Sequence, residues 1–245
     1  MRILVSNDDG VYSPGIAALA RAATKFGDVR VVAPDVERSS AGHAITATRP
    51  VRYRSTAAIE GIEAYRVDGT PADCVALGMF HWEDVDVVLS GINLGPNLGN
   101  ATWHSGTLAA AKQAVLLGIR GVALSTPVKD ESEDFSKLAP WIDRALEIVL
   151  DEGCPKLVNV NFPPDPRGLR WTALAVDQYD GKVVPGEDPM GRKHYWFTVV
   201  PLERHAEGTD LWAMEQGLVS LTPLRLDLTD YAELTRIGKV PSEQA

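Results

Sequence analysis

Short, uninterrupted apolar runs alternate with helical patterns from Arg2 to about Asp165, and this alternation limits the fold more than any other feature of the sequence. It is typical of βα units that build a mostly parallel sheet. The runs are apolar throughout, as expected for strands that helices cover on both faces. The sequence therefore predicts an α/β fold with core strands at Ile3–Ser6, Val29–Ala33, Val85–Ser90, Val122–Ser125 and Leu157–Asn161.

The helices between these strands carry residues typical of helix ends. A serine or threonine followed by proline favours a capped helix start, and a glycine favours the position just after the last turn. The most regular of the helices has a continuous apolar stripe from Leu138 to Leu150. Start signals lie at Ser13-Pro14, Thr70-Pro71 and Ser105, and glycines typical of helix ends lie at Gly27, Gly118 and Gly153.

The pattern changes after the proline-rich stretch Phe162–Pro166 and becomes richer in β structure. We interpret residues 1–166 as the core and residues 167–245 as a β-rich appendage that packs on the core or reaches to another subunit. In the appendage we predict strands at Trp171–Val176, Tyr195–Pro201 and Gly217–Leu224, a connecting segment at Gly181–Gly191 and a short helix at Tyr231–Ile237.

Composition limits the partners and the compartment. A net charge of -9 argues against sequence-independent binding to long nucleic acids, which depends on basic patches. No apolar run approaches the roughly 20 residues of a membrane span, and the first residues do not resemble a secretory signal. Cys74 and Cys154 lack CxxC spacing and are expected to be free thiols. We therefore expect a cytoplasmic protein without a membrane partner.

Two adjacent carboxylates, Asp8 and Asp9, follow the first predicted strand. Ligands of open α/β sheets bind beyond the carboxyl ends of the strands, so this pair lies where a site is expected. Adjacent carboxylates repel each other, and burying both is costly unless a cation neutralises them. Oxygen ligands of this kind suit Mg²⁺ or Mn²⁺. The alternative is a solvated turn, because Asn, Asp and Gly favour turns.

Two later segments also follow predicted strands. Residues Glu37–His43 offer hydroxyls, a glycine and a histidine, which alone is a weak signal. The segment Ser90–Asn100 has three asparagines and three glycines, and Trp103–Thr107 then leads into a helix start. Asparagine oxygens can ligate a hard cation, and backbone N–H groups at a helix start can hold a phosphate. The alternative for this segment is a long structural loop with hydroxyl capping.

With these motifs the chain resembles the stationary-phase survival protein SurE family of 5′/3′-nucleotidases. The resemblance extends across nearly the whole chain, and several of the matching stretches are long and unusual. They are Ile3–Gly10 with Gly15-Ile16, Glu37–Thr46, Gly69–Val75, Ser90–Asn97 with His104–Thr107, Asn159–Pro163, Thr209-Asp210 and Gly217–Leu224.

The resemblance implies a Rossmann-like core, a β-rich C-terminal extension that takes part in homodimer or homotetramer assembly, and hydrolysis of nucleoside monophosphates, in some members also of short polyphosphate. It implies one divalent cation per subunit, Mg²⁺ or Mn²⁺, and a phosphate pocket. By this resemblance the metal ligands are Asp8, Asp9, Ser39 and Asn93, the phosphate-binding residues are Asn97, Ser105, Gly106 and Thr107, and the catalytic residues are Asp8 and Asp9.

Two departures from the family pattern stand out. Asp177–Asp180 occupies a place where the family often has an arginine-rich stretch, and if that stretch contacts substrate, the departure puts affinity for polyanions such as polyphosphate in question. Ser40 stands where glycine or alanine is commoner, and we expect little effect from it.

Two other functions remain open from the residues alone. An aspartyl-phosphate phosphatase of the haloacid dehalogenase type also has an aspartate after the first strand, but it requires Asp-x-Asp spacing, which Asp8-Asp9 does not provide. A non-enzymatic module that binds nucleotides in a stress response is the second alternative. Retention of all four metal-ligand residue types weighs against it. Within the phosphatase reading we favour direct attack by water, with Asp8 the better nucleophile candidate if a covalent intermediate forms.

Overall fold

The computed structural model describes residues 1–127, 135–176, 181–199 and 205–238. Its strands are β1 (Arg2–Ser6), β2 (Asp28–Pro34), β3 (Tyr53–Thr56), β4 (Glu63–Val67), β5 (Val87–Leu94), β6 (Arg120–Thr126), β7 (Leu157–Asn161), β8 (Gly168–Trp171), β9 (Gly181–Glu187), β10 (Lys193–Val199) and β11 (Leu218–Leu224). Its α-helices are α1 (Pro14–Ala23), α2 (Pro71–His81), α3 (Gly106–Leu116), α4 (Ala139–Val149), α5 (Asp210–Glu215) and α6 (Tyr231–Arg236). Short 3₁₀ helices lie at Gly99–Trp103 and Phe135–Lys137.

The central sheet has nine strands in the order β3-β4-β2-β1-β5-β6-β7-β11-β8. The strands from β4 to β7 in this order pair in parallel, whereas β3 is antiparallel to β4 and β11 is antiparallel to β7. Strands β9 and β10 form a separate antiparallel hairpin. The expected α/β fold with a mostly parallel sheet is confirmed.

Helices cover both faces of the sheet. Helices α1 and α4 pack on the face that carries Ile3 and Val5, and α2 and α3 pack on the face that carries Leu4 and Val88. All four of these strand residues are buried. Because each strand buries side chains on both sides, its sequence is apolar without alternation, and burial of each large aliphatic side chain contributes about 1.5–3 kcal/mol.

The core strands and helix starts lie where the sequence placed them, within one to four residues at each end. Thr70 and Asp73 form a reciprocal capping box at the start of α2, and the Ser105 hydroxyl accepts a hydrogen bond from Leu108 N at the start of α3. Ser13 occupies the N-cap of α1, but its side chain makes no capping hydrogen bond there.

The C-terminal region differs from the sequence prediction in two places. The strand predicted at Trp171–Val176 is wrong in position, because β8 ends at Trp171 and residues 172–176 contain only an isolated bridge at Ala173. The segment Gly181–Gly191, interpreted as a connection, contains β9. Pro185 and the glycines are residues typical of turns and loops, so the sequence pattern did not indicate a strand here. An edge hairpin tolerates proline where a central strand does not.

Strands β8 and β11 lie in the same sheet as the core strands, and the division of the chain at residue 166 stays a prediction. Asp177–Asp180, where the sequence departs from the family pattern, lies outside the described residues. Cys74 and Cys154 are free, as expected. None of the helices in the described ranges has the length and apolar character needed to cross a membrane.

Candidate active site

A closed turn at the carboxyl end of β1 presents the carboxylate pair. The side chain of buried Asn7 donates from Nδ2 to the carbonyl of Gly10 at 2.9 Å and accepts from its N–H at 3.1 Å. Gly10 has a φ of +100°, a conformation that favours glycine. Asp8 and Asp9 lie between these two residues, and Asp8 is only 4% exposed. This burial argues against the alternative of a solvated turn.

Three other segments meet Asp8 and Asp9. The Thr107 hydroxyl donates to Asp8 Oδ1 at 2.6 Å, and the N–H of Arg38 donates to the Asp8 carbonyl at 2.7 Å. The N–H of Leu94 donates to Asp9 Oδ2 at 3.2 Å. The pair therefore lies where the ends of β1, β2 and β5 meet the start of α3.

Gly106, the first residue of α3, packs directly against Asp8. A Cβ at this position would lie 2.7 Å from Asp8 Oδ2 and 2.8 Å from the Asp8 Cβ, closer than carbon and oxygen atoms approach each other. The absence of a side chain at Gly106 is thus what allows the carboxylate to lie at the positive end of the helix. A helix start stabilises negative charge there.

The protonation of the pair reflects this burial. Burial raises the pKa of Asp8, against the opposing effect of its hydrogen bonds from Thr107. Burial, followed by the charge of Asp8, raises the pKa of Asp9 to about 7. In the described part of the chain, no lysine, arginine or histidine forms a salt bridge with either carboxylate. The pair therefore has uncompensated negative charge that a divalent cation would neutralise.

Ser39 and Asn93 lie on the two segments that meet the pair. Ser39 follows Arg38 and donates from its hydroxyl to Glu37 Oε1 at 2.6 Å, which leaves the hydroxyl oxygen as an acceptor. Asn93 precedes Leu94 and donates from Nδ2 to the Gly95 carbonyl at 2.6 Å, which leaves its Oδ1 as the atom suited to a cation. Two carboxylates, a hydroxyl and an amide are a hard oxygen set of the kind that Mg²⁺ or Mn²⁺ takes.

This set is poor in the residues that usually mark metal centres. Among the residues described, no group of three or more histidine, cysteine, aspartate or glutamate side chains is arranged to hold a metal. Glu37 nevertheless adds a third negative charge close enough to raise the pKa of both Asp8 and Asp9. The sequence analysis assigned no role to Glu37, although it opens one of the matching stretches.

Two of the residues expected to bind phosphate, Asn97 and Thr107, form a hydrogen-bonded chain with Asp8. Asn97 Nδ2 donates to Thr107 Oγ1 at 3.3 Å and to Ser125 Oγ at 2.8 Å, and Thr107 in turn donates to Asp8. The Ser105 hydroxyl is occupied in capping α3. Thr107 thus links the expected phosphate pocket to the expected metal ligands, and the first N–H groups of α3 have no carbonyl partner within the helix.

Two asparagines of β7 hold Asn97 in place, and the sequence analysis gave them no role. Asn161 Oδ1 accepts from the N–H of Asn97 at 2.9 Å, and the Nδ2 atoms of Asn159 and Asn161 donate to its carbonyl at 2.7 and 3.1 Å. Both side chains are fully buried. An asparagine repeated at every second position of an apolar strand is the signal that could have identified them.

Two histidines and a tryptophan border the site. The Gly42 N–H donates to the His104 carbonyl at 3.1 Å, which joins the segment Glu37–His43 to the start of α3. His43 Nε2 lies 2.9 Å from Gln113 Oε1, and Trp103 is 58% exposed. The Lys112 ammonium lies 5.8 Å from the centre of the Trp103 ring. This rim is polar and aromatic.

Comparison with known proteins identifies the family. Residues 3–181 match the family model described as "Survival protein SurE". The chain belongs to the SurE family. It is 49% identical to "5'-nucleotidase SurE 1" of Thermus thermophilus, with 97% of each chain covered. It is 47% identical to "5'-nucleotidase SurE" of Deinococcus radiodurans over 93% of this chain and 88% of that relative.

A solved structure supports the same conclusion. The SurE protein from Aquifex aeolicus superimposes with a TM-score of 0.82 at 40% sequence identity, covering 97% of this chain and 98% of that chain. The resemblance to the SurE family and the Rossmann-like fold that it implied are thereby confirmed. The roles of individual SurE-family site residues in this chain stay predictions.

The raised pKa of Asp9 predicts how pH affects the metal-free protein. The pKa of Asp9 is about 7 in the folded state, above its ordinary value of 3.8. Between these two pH values the folded state therefore keeps a proton on Asp9 that the unfolded state has released. Stability from this group is therefore present below about pH 4 and is lost as pH rises through about 7. We expect chelated protein to melt at a lower temperature at about pH 8 than at about pH 6, and Mn²⁺ to raise the melting temperature more at the higher pH.

Differential scanning fluorimetry at both pH values measures this effect. The Asp9→Asn variant is the control, because it removes the titrating carboxyl and should reduce the pH dependence of the metal-free protein. An equal Mn²⁺ effect at both pH values in the natural protein would contradict the prediction.

Proposed function

We propose that this protein is a divalent-metal-dependent phosphatase that hydrolyses nucleoside 5′- and 3′-monophosphates to nucleoside and phosphate. The relatives from Thermus thermophilus and Deinococcus radiodurans are both called 5′-nucleotidases, and this chain aligns with 97% and 88% of their lengths. The observation that carries the proposal is the adjacent pair of Asp8, which is buried against the N-terminus of α3, and Asp9, which is partly buried. It provides negative ligands for a cation beside a positive helix end for a phosphate.

The ligands we assign to the cation are Asp8, Asp9, Ser39 and Asn93. One bound Mg²⁺ or Mn²⁺ would supply Lewis-acid stabilisation of the phosphoryl oxygens and lower the pKa of a water molecule. Asp8 and Asp9 are the catalytic residues in this proposal. Thr107 orients Asp8 through its 2.6 Å hydrogen bond, and Leu94 orients Asp9 through its backbone N–H.

The phosphate is assigned to Asn97, Ser105, Gly106 and Thr107. Support comes from the start of α3, whose positive end favours a bound phosphate as at other helix starts, although Leu108 N already donates to the Ser105 hydroxyl. Asn97 is a fixed polar residue beside Thr107, because β7 holds its backbone and its side-chain amide donates to Thr107 and Ser125. Donors fixed before the substrate arrives stabilise charge that develops in the transition state without reorganising.

The nucleophile is assigned to water. Asp8 Oδ1 already accepts from Thr107, and Asp8 lies against Gly106, so its carboxylate is confined on two sides. Confinement of this kind suits a ligand better than a nucleophile that must move toward phosphorus. A phospho-aspartyl intermediate, as in the haloacid dehalogenase mechanism, would be trapped as a covalent phospho-enzyme when turnover is quenched with acid, whereas direct attack by water predicts none.

The test is phosphate release from a panel of nucleoside 5′- and 3′-monophosphates by chelator-treated protein, before and after Mg²⁺ or Mn²⁺ is restored. We expect hydrolysis to disappear with chelator and to return with metal. The panel also ranks the bases and the two phosphate positions. No release with any metal, from protein shown to be folded by circular dichroism, would contradict the proposal.

The alternative function is a non-enzymatic module that binds nucleotides. It predicts that a nucleoside monophosphate binds in the presence of Mn²⁺ and is recovered intact. The adjacent carboxylates of Asp8 and Asp9 favour the phosphatase, because ground-state binding of an anion does not require two negative side chains beside it.

We further propose that the protein acts in the cytoplasm as a homodimer or homotetramer. Two free thiols suit a reducing compartment. The β9–β10 hairpin exposes Tyr195, Trp196 and Phe197, an apolar surface that a second copy would cover. The net charge of -9 supports a small substrate rather than long nucleic acid.

A further inference from the structure

The carboxylate of Asp210 is buried at the start of α5 and joins three segments of the chain. Its Oδ2 accepts from the N–H of Gly99 at 2.7 Å, and its Oδ1 accepts from Ala175 at 2.8 Å and Leu211 at 2.9 Å. Asp210 is 0% exposed, and its own N–H donates to the Ala173 carbonyl at 2.8 Å. A carboxylate is seldom buried this completely unless its partners are essential to the local structure.

The Gly99 contact couples Asp210 to the candidate site. Gly99 begins the 3₁₀ helix that leads to Ser105 and α3, and it lies two residues after Asn97. Its φ is +49°, and a Cβ on it would lie 2.4 Å from the Ala175 carbonyl oxygen. The loop therefore touches the 173–175 segment backbone against backbone, and Asp210 bridges the two.

The loop has a second fixed point, in β7. Asn159 and Asn161 hold the backbone of Asn97 on one side, while Asp210 holds Gly99 on the other. The Asp210 bond reaches this loop from the C-terminal region. This hydrogen bond is the contact through which α5 holds Gly99.

We propose that Asp210 is a positioning residue for phosphate recognition, acting through Gly99 on Asn97 and on the start of α3. The proposal rests on the proposed function of that pocket. It makes α5 a structural part of the active site although no α5 side chain lies in it. The assigned metal ligands Asp8, Asp9 and Ser39 lie on other segments. Asn93 lies six residues before Gly99 and is held separately at the Gly95 carbonyl, so the effect of Asp210 falls on phosphate more than on metal.

The test compares Asp210→Asn with Thr209→Ala. The Asn variant keeps the shape of the side chain but places an amide N–H₂ against a backbone N–H. Thr209→Ala is the matched control, because the Thr209 hydroxyl caps α5 through Trp212 N and donates to the Ala206 carbonyl, but makes no bond to the site loop. It weakens α5 by the loss of a cap and leaves Gly99 held.

The readouts are isothermal titration with inorganic phosphate in the presence of Mn²⁺, the Mn²⁺ concentration for half-maximal activity, KM, kcat and the melting temperature. We expect Asp210→Asn to weaken phosphate binding and raise KM by about tenfold or more, with a change in the Mn²⁺ requirement of less than about threefold. Thr209→Ala should lower the melting temperature and leave phosphate affinity unchanged.

Three results would overturn the inference. They are unchanged phosphate affinity in Asp210→Asn, an equal loss in Thr209→Ala, or a loss of Mn²⁺ affinity that matches the loss of phosphate affinity. If Asp210→Asn does not fold, Gly99→Ala displaces the same loop, and wild-type phosphate affinity in it overturns the inference. Binding is measured without turnover, so an inactive wild-type protein would refute the phosphatase and still leave the Asp210 result decisive.

Discussion

Asp8→Asn is expected to lower phosphate release from nucleoside monophosphates by about 100-fold or more and to weaken Mn²⁺ binding. The substitution keeps the shape of the side chain and the hydrogen bond from Thr107 to Oδ1. It removes one of the two charges that attract the cation, and removal of a group that stabilises transition-state charge commonly costs about 10²–10³ in turnover. Steady-state kinetics at saturating Mn²⁺ and a Mn²⁺ titration measure both effects.

Stability separates this result from simple unfolding. Asp8 is buried and its pKa is raised, so a neutral side chain there relieves repulsion with Asp9. We expect metal-free Asp8→Asn to melt at or above the temperature of the metal-free natural protein at about pH 8. Asp143→Asn is the control, because Asp143 of α4 pairs with Lys25, just after α1, and not with a residue of the candidate site. Near-normal hydrolysis by Asp8→Asn would exclude a catalytic role for Asp8.

Gly106→Ala is expected to reduce activity by about 100-fold through displacement of Asp8. The added methyl would lie 2.7 Å from Asp8 Oδ2, so either the carboxylate or the start of α3 must move. Overpacking of a buried contact typically costs about 1–3 kcal/mol. The Mn²⁺ requirement should rise as well, because the displaced group is an assigned metal ligand. Kinetics over a range of Mn²⁺ concentrations measure the change.

Gly118→Ala is the matched control at the other end of α3. Its φ is +92°, and a Cβ there would meet nothing within 4 Å. It therefore adds backbone strain of about 1–3 kcal/mol without touching the site. We expect it to lower the melting temperature and to leave kcat and the Mn²⁺ requirement unchanged. Full activity in Gly106→Ala would show that Asp8 need not lie against the helix start.

The parts of the fold that could be predicted from sequence are those whose cause is local. A strand such as β1 is apolar throughout because both of its faces are buried, and the capping box of Thr70 and Asp73 spans four consecutive residues. Strands β3 and β4 lie at the edge of the sheet and are half exposed. Their mixed composition gives no comparable signal, and no prediction covered them.

In the candidate site, too, some contacts could be predicted from the sequence and others could not. Parallel strands end at one edge of a sheet, and this rule was enough to predict that Asp8 and Asp9 meet the segments after β2 and β5. The contacts of Asp8 with Gly106 and of Asp210 with Gly99 join residues about a hundred positions apart. Such contacts depend on how helices and loops pack on the sheet, and no local pattern reports them.

The most direct test of metal-dependent hydrolysis is a titration of Mn²⁺ into protein from which a chelator has removed metal. Bound Mn²⁺ is followed by electron paramagnetic resonance, and AMP hydrolysis is measured in the same samples. We expect activity to rise in proportion to bound Mn²⁺ and to saturate at about one ion per chain. We also expect Asp8→Asn to bind less Mn²⁺ at each concentration. Full activity without bound metal, or one tightly bound ion without hydrolysis, would contradict the account.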